Sequence, residues 1–149
     1  MKKFIQVLAV VTPAALAFAA PAYVIASAAP AAAAEAAKSQ ESVKKGLRIF
    51  NQVVGHTGRL VASKSYGDVA HEHEEIIEGA EILRENLAGD MKTKAEPAIV
   101  KAVAASTALK DISATKDAAK TEAAHAAFAA SVKELIALFP ADMHPPAPK

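Results

Sequence analysis

The chain has 149 residues, no cysteine, and nearly balanced charge, with 17 Lys and Arg against 16 Asp and Glu. That length suits one ordinary domain, and the charge balance gives no electrostatic footprint for nucleic acid. Without cysteine there is no disulfide, thiolate nucleophile, lipid-modified N-terminal cysteine or C-x-x-C-H haem attachment, so stability has to come from packing.

The chain opens with Lys2 and Lys3, followed by an uncharged apolar run from Phe4 to Ala20. Small residues come next, and Ala26 to Ala28 fits the small-x-small cleavage rule. Residues 1–28 therefore read as a signal peptide, with Ala34 as a second candidate cleavage point. A membrane anchor is the alternative, but a spanning helix needs about 20 apolar residues and Pro13 and Pro21 interrupt the run. A periplasmic or secreted product is expected, with no membrane attachment after cleavage. Lys2 and Lys3 leave with the signal, so the mature chain keeps one acid more than it has bases.

Residues 29–38 are alanine-rich and read as a flexible linker. The first helix is expected from Ser39 to Ser65. Val43, Leu47, Phe50, Val54, Thr57 and Val61 follow spacings of four and three that keep side chains on one helix face. Ile49, Val53, His56 and Leu60 form a flanking row. Gly55 and Gly58 weaken this helix, at about 1 kcal/mol each relative to alanine. Gly67 suits a C-terminal cap and Asp68 the next N-cap.

The second helix is expected from Val69 to Ala88, with Val69, His73, Ile76, Ala80, Leu83 and Leu87 as its stripe and Gly89-Asp90 closing it. The third is expected to start with Pro97 at its first position, where the missing N–H costs little. Its stripe is Ala98, Ala102, Ala105, Leu109 and Ile112, with Ile99 and Val103 beside it. Thr115 or Asp117 caps the last helix, whose stripe is Ala118, Thr121, His125, Phe128, Val132, Leu135 and Phe139. Pro140 ends it, and residues 140–149, with four prolines, read as a disordered tail. Four amphipathic helices with short connections predict an all-α fold, an antiparallel up-down-up-down four-helix bundle over residues 39–139.

Polar side chains on apolar stripes are the informative exceptions. His56, His73 and His125 lie on or beside core-facing rows of three different helices. At about 1.5 Å rise per residue, they stand roughly 15, 10 and 14 Å from the same end of an up-down bundle. Their rings are therefore expected to approach one layer. Neutral imidazole binds copper and zinc, and three protein ligands with one open position is a known zinc arrangement. Glu122, three residues before His125, and Glu74, next to His73, are candidate supporting carboxylates. The competing reading is that each histidine merely hydrogen-bonds a neighbouring helix.

Other motifs carry less. His71 and His73 point about 200° apart on a helix and do not chelate together. Met143-His144 is a soft-metal pair in a tail, and Tyr66 reads as a lid over the bundle end. There is no phosphate-binding glycine loop, no G-x-S-x-G and no H-E-x-x-H, so no enzyme is predicted.

The architecture resembles the periplasmic four-helix cytochromes, without their haem-attachment motif. In texture, the segments from Gly55 to Asn86 and from Thr115 to Pro140 resemble small, alanine-rich exported bacterial helical-bundle proteins of unknown function. The resemblance implies a helical bundle and a periplasmic location, and carries no functional residues with it. The expected function is a periplasmic helical-bundle binding protein, with copper or zinc binding or buffering through His56, His73 and His125. The alternatives are a structural or partner-binding bundle, whose partner is another periplasmic protein, and a non-covalent haem bundle using room at Gly55 and Gly58.

Overall fold

The computed structural model describes the backbone of residues 28–147 and the side chains of residues 34–147. The expected signal peptide lies outside the described residues except for Ala28. The fold is all-α. Four helices follow in order: α1 (Ala28–Ala62), α2 (Val69–Asn86), α3 (Gly89–Ser113) and α4 (Ala118–Ala137). Single 3-10 turns occur at Tyr66–Asp68 and Ala141–Met143, and no strand occurs among the described residues. The helix packing is that of a bundle: α1 packs on α2, α2 on α3, α3 on α4 and α4 back on α1. Among the described residues no helix is long and apolar enough to cross a membrane.

The segment 29–38 is not a linker but the opening of α1, which runs unbroken through Gly55 and Gly58. Alanine is the best helix former, and Pro30 falls in the first turn, where a missing N–H is tolerated. Ser39 Oγ donates to the Asn86 carbonyl at 2.7 Å, tying this early part of α1 to the end of α2. The helix closes on Lys64 rather than on Gly67. Lys64 has φ 58°, its N–H donates to the Val61 carbonyl, and the Ser65 N–H donates to the Leu60 carbonyl. This is the Schellman pattern, here with lysine in the left-handed position that glycine usually takes.

The third helix begins eight residues before Pro97, and Gly89 opens it at φ +54° instead of closing α2. Tertiary contacts outweigh the proline. Ala95 is fully buried, and the Arg84 guanidinium holds Glu96 with contacts of 2.8–3.2 Å, pinning this early part of α3 to α2. Asp117 caps α4, accepting from the Lys120 N–H at 3.1 Å, whereas Asp68 makes no side-chain cap at α2.

The core centres on Leu47, Phe50, Ile76, Leu83, Phe128 and Leu135, all fully buried. At roughly 1.5–3 kcal/mol per large apolar side chain, such residues dominate the stabilisation. On α3 the buried row is Ala95, Ile99, Ala102, Ser106, Leu109 and Ser113, rotated by about one position from the expected stripe. Small hydroxyls are tolerated inside because their own helices satisfy them. Ser113 donates to the Lys110 carbonyl, Ser131 to Phe128, Thr121 to Asp117 and Thr57 to Val53. Glycine lets α1 and α2 approach closely: a Cβ on Gly46 would stand 2.8 Å from Leu83 Cδ2, and one on Gly79 3.1 Å from Ile49 Cγ2.

The expected disordered tail is ordered over residues 140–147. Met143 is buried in the core, His144 Nε2–H donates to the Phe139 carbonyl at 2.8 Å, and Asn51 Nδ2–H donates to the Pro146 carbonyl at 2.7 Å. The segment therefore returns to the surface of α1 and becomes one wall of a cleft.

Candidate functional site

Each histidine of the predicted trio has its own partner. His125 Nε2–H donates to the Val54 carbonyl on α1 at 3.0 Å. The ring fits there because residue 58 is glycine: a Cβ would lie 3.2 Å from His125 Cε1. The room expected for a flat cofactor at Gly58 is thus occupied by His125 itself. His73 Nδ1 is hydrogen-bonded to Ser106 Oγ on α3 at 2.9 Å. Burial, with Lys110 nearby, holds its pKa below the ordinary 6.5. His56 Nδ1–H donates to Glu72 Oε1 on α2 at 2.8 Å. Glu74 and Glu122 are exposed. Among the described residues no group of three or more histidine, aspartate or glutamate side chains is disposed to hold a metal ion. The three rings turn to separate partners rather than to one another.

The group that sequence reasoning missed is Glu72. It occupies the core-facing position of α2 assigned to His73. Both positions satisfy helical spacing, since Glu72 is three residues after Val69 and four before Ile76. Charge argued against the glutamate, as an acid is rarely buried without a partner. Its side chain is only 9% exposed, and His56 supplies the partner for one oxygen. The other oxygen, Oε2, is buried with no hydrogen-bond partner. Desolvation raises the carboxyl above its ordinary 4.5, opposed by His56, assisted by Glu75 and opposed again by Arg59.

Glu72 and His56 lie in a cleft of about 480 Å³, within the range of small-molecule sites. From α1 come Arg48, Asn51, Gln52, His56 and Arg59, a set whose spacing repeats along one helix face. Glu72 and Glu75 come from α2, and Pro146 and Ala147 from the C-terminal segment. Of the five predicted ligands only His56 belongs to this cleft. Its ring is half exposed and oriented by the carboxylate behind it. The hints available in the sequence were the polar residues running down α1 beside its apolar stripe, which a solvated face explains equally well. A second cavity, about 340 Å³, lies near Ser39 and Asn86 and is mostly apolar, with Val43, Leu87, Phe139 and Met143 in its walls.

No protein-family profile, curated protein or solved structure matches the chain.

Proposed function

We propose that this protein is a periplasmic helical-bundle binding protein that holds a small polar ligand in the cleft between α1, α2 and the C-terminal segment. One observation carries the reading: Glu72 Oε2 is buried beside the cleft without a donor. An unsatisfied buried carboxylate oxygen costs about 1–3 kcal/mol or more, so a group of this kind calls for a partner, and a bound ligand is one that supplies it. A ligand donor that meets Oε2 once the Glu72 side chain turns toward the cleft removes that cost on binding. The periplasmic location rests on Lys2, Lys3 and the apolar run after them. The up-down-up-down course belongs to the same proposal. It is supported by Ser39 meeting Asn86 while His56 meets Glu72, so that α1 and α2 pair in opposite senses.

A transition metal, copper or zinc, is the second reading of the same cleft, and a specific contact favours it. A carboxylate accepting from one imidazole nitrogen is the usual support for a histidine that ligates through the other, as Glu72 does for His56.

A thermal-shift screen of the purified protein with small polar molecules, zinc and copper tests both readings. A ligand that binds only the folded state raises the melting temperature. The expected result is a stabilising molecule whose effect is lost in Arg48→Ala and in Glu72→Gln. Metal uptake lost in His56→Ala but kept in His73→Ala and His125→Ala selects the metal. Absence of any stabilising molecule, or stabilisation unaffected by these variants, overturns the cleft as the binding site.

A further inference from the structure

We infer that the cleft is shaped for a short peptide with free ends, a di- or tripeptide whose ammonium group meets Glu72 and whose carboxylate meets Arg48. The inference rests on the binding reading above and names the ligand's chemistry.

The charges in the cleft are segregated by helix. Both guanidinium groups, Arg48 and Arg59, come from α1, and both carboxylates, Glu72 and Glu75, come from α2. Their formal charges cancel. A simple anion is attracted by one wall and repelled by the other, and a simple cation likewise, whereas a zwitterion matches both. Complementarity of this kind decides which partner binds.

Each end has a fitted group. At Glu72, Oε1 is taken by His56 Nδ1–H while Oε2 has no donor. An ammonium brings three N–H donors and a positive charge, so it satisfies the oxygen and neutralises the buried carboxylate together. At the other end, Arg48 is exposed and makes no ion pair among the described residues. Its planar fork matches a carboxylate with two parallel hydrogen bonds.

Distance selects the length. Arg48 is eight residues before His56 on α1, about 12 Å along the helix axis. The flexible three-carbon stem of arginine allows its fork to close part of that span. The remainder suits two or three residues at about 3.3–3.6 Å each, more than a single amino acid covers. Gln52 stands between the two ends on the same helix, where its amide can both donate to and accept from a peptide group.

Calorimetric titration with di-L-alanine and tri-L-alanine tests this, alongside their N-acetylated and C-amidated forms. The free peptides are expected to bind, and either cap to weaken binding by about tenfold or more, the effect of losing one charge-assisted contact. Arg48→Ala should weaken the free peptides but not the amidated ones. Glu72→Gln should weaken the free peptides but not the acetylated ones. Should Glu72→Gln fail to fold, judged by circular dichroism, the Arg48→Ala arm decides alone, because Arg48 is on the surface. Caps without effect, or no binding of any peptide, overturn the inference. If peptides fail while another polar molecule stabilises the protein through Arg48 and Glu72, the peptide assignment alone falls. If nothing binds, the cleft reading falls with it.

Discussion

His56 and Glu72 share one hydrogen bond of 2.8 Å between α1 and α2, which satisfies one carboxylate oxygen and leaves the other buried without a donor. The pair joins an exposed imidazole to a carboxyl whose pKa is raised by desolvation despite that imidazole. This has a consequence for stability against pH. The folded protein holds the Glu72 proton more tightly than the unfolded chain does. The stability it contributes is therefore full below 4.5 and lost as pH rises through the higher folded value. Measured by urea unfolding, the stability of Glu72→Gln relative to the parent should increase as pH rises from 4.5 upward. Parallel pH profiles for the two proteins would contradict this.

His73 acts in the opposite sense. Burial and the neighbouring Lys110 lower its pKa, while Asp111 and Glu74 oppose the shift. The unfolded chain takes up that proton first, so stability present above pH 6.5 is lost as pH falls through the lower folded value. A His73→Gln variant should lack this loss. The comparison is made between pH 7 and the folded value, and equal losses in variant and parent would remove His73 as the cause.

Gly46 and Gly67 are expected to respond oppositely to alanine. At Gly46 the added Cβ meets fully buried Leu83 at 2.8 and 2.9 Å and the Gly79 carbonyl at 3.2 Å. Overpacking of about 1–3 kcal/mol exceeds the helical gain of about 1 kcal/mol, so Gly46→Ala should destabilise by about 1 kcal/mol. At Gly67 nothing lies within 4 Å and φ is not positive. Gly67→Ala should therefore stabilise by about 0.4–1 kcal/mol through the unfolded chain. A raised denaturant midpoint for Gly46→Ala would contradict the close approach of α1 and α2, and a lowered one for Gly67→Ala the open space at that turn.

Lys64 and Lys116 hold left-handed backbone, at φ 58° and 57°, where an L side chain costs about 1–2 kcal/mol. Lys64→Gly and Lys116→Gly should each raise stability, by about 1 kcal/mol after the greater freedom glycine has in the unfolded chain is set against the relief. The two sites are in separate turns, so the gains should add in the double variant. Thermal denaturation checks this, and a loss in either single variant would contradict the turn geometry.

The apolar spacing along the chain was enough to read four helices and most of the core. Val43, Leu47, Phe50, Ile76, Leu83, Phe128 and Leu135 are buried where periodicity puts them, because a bundle leaves long apolar side chains little else to pack against. Helix ends were less legible. Gly67 and Pro97 carry strong local preferences, yet α1 closes on Lys64 and α3 starts at Gly89; two backbone hydrogen bonds fix the first end, and the burial of Ala95 together with the Arg84–Glu96 contact accompanies the second.

Residue order alone sets the pattern within each helix: its period, its apolar face and the polar row beside it, all properties of neighbours three and four residues apart. Which polar group is buried, and what it meets, depends on how the helices pack against one another. Glu72 and His73 have equal claims by spacing, and the rotation of α2 against α1 resolves them: Glu72 goes to His56, while His73 turns to Ser106. The return of the C-terminal segment to Asn51, which walls the cleft, joins residues far apart in the chain. That contact depends on how whole helices pack, and no local period encodes it.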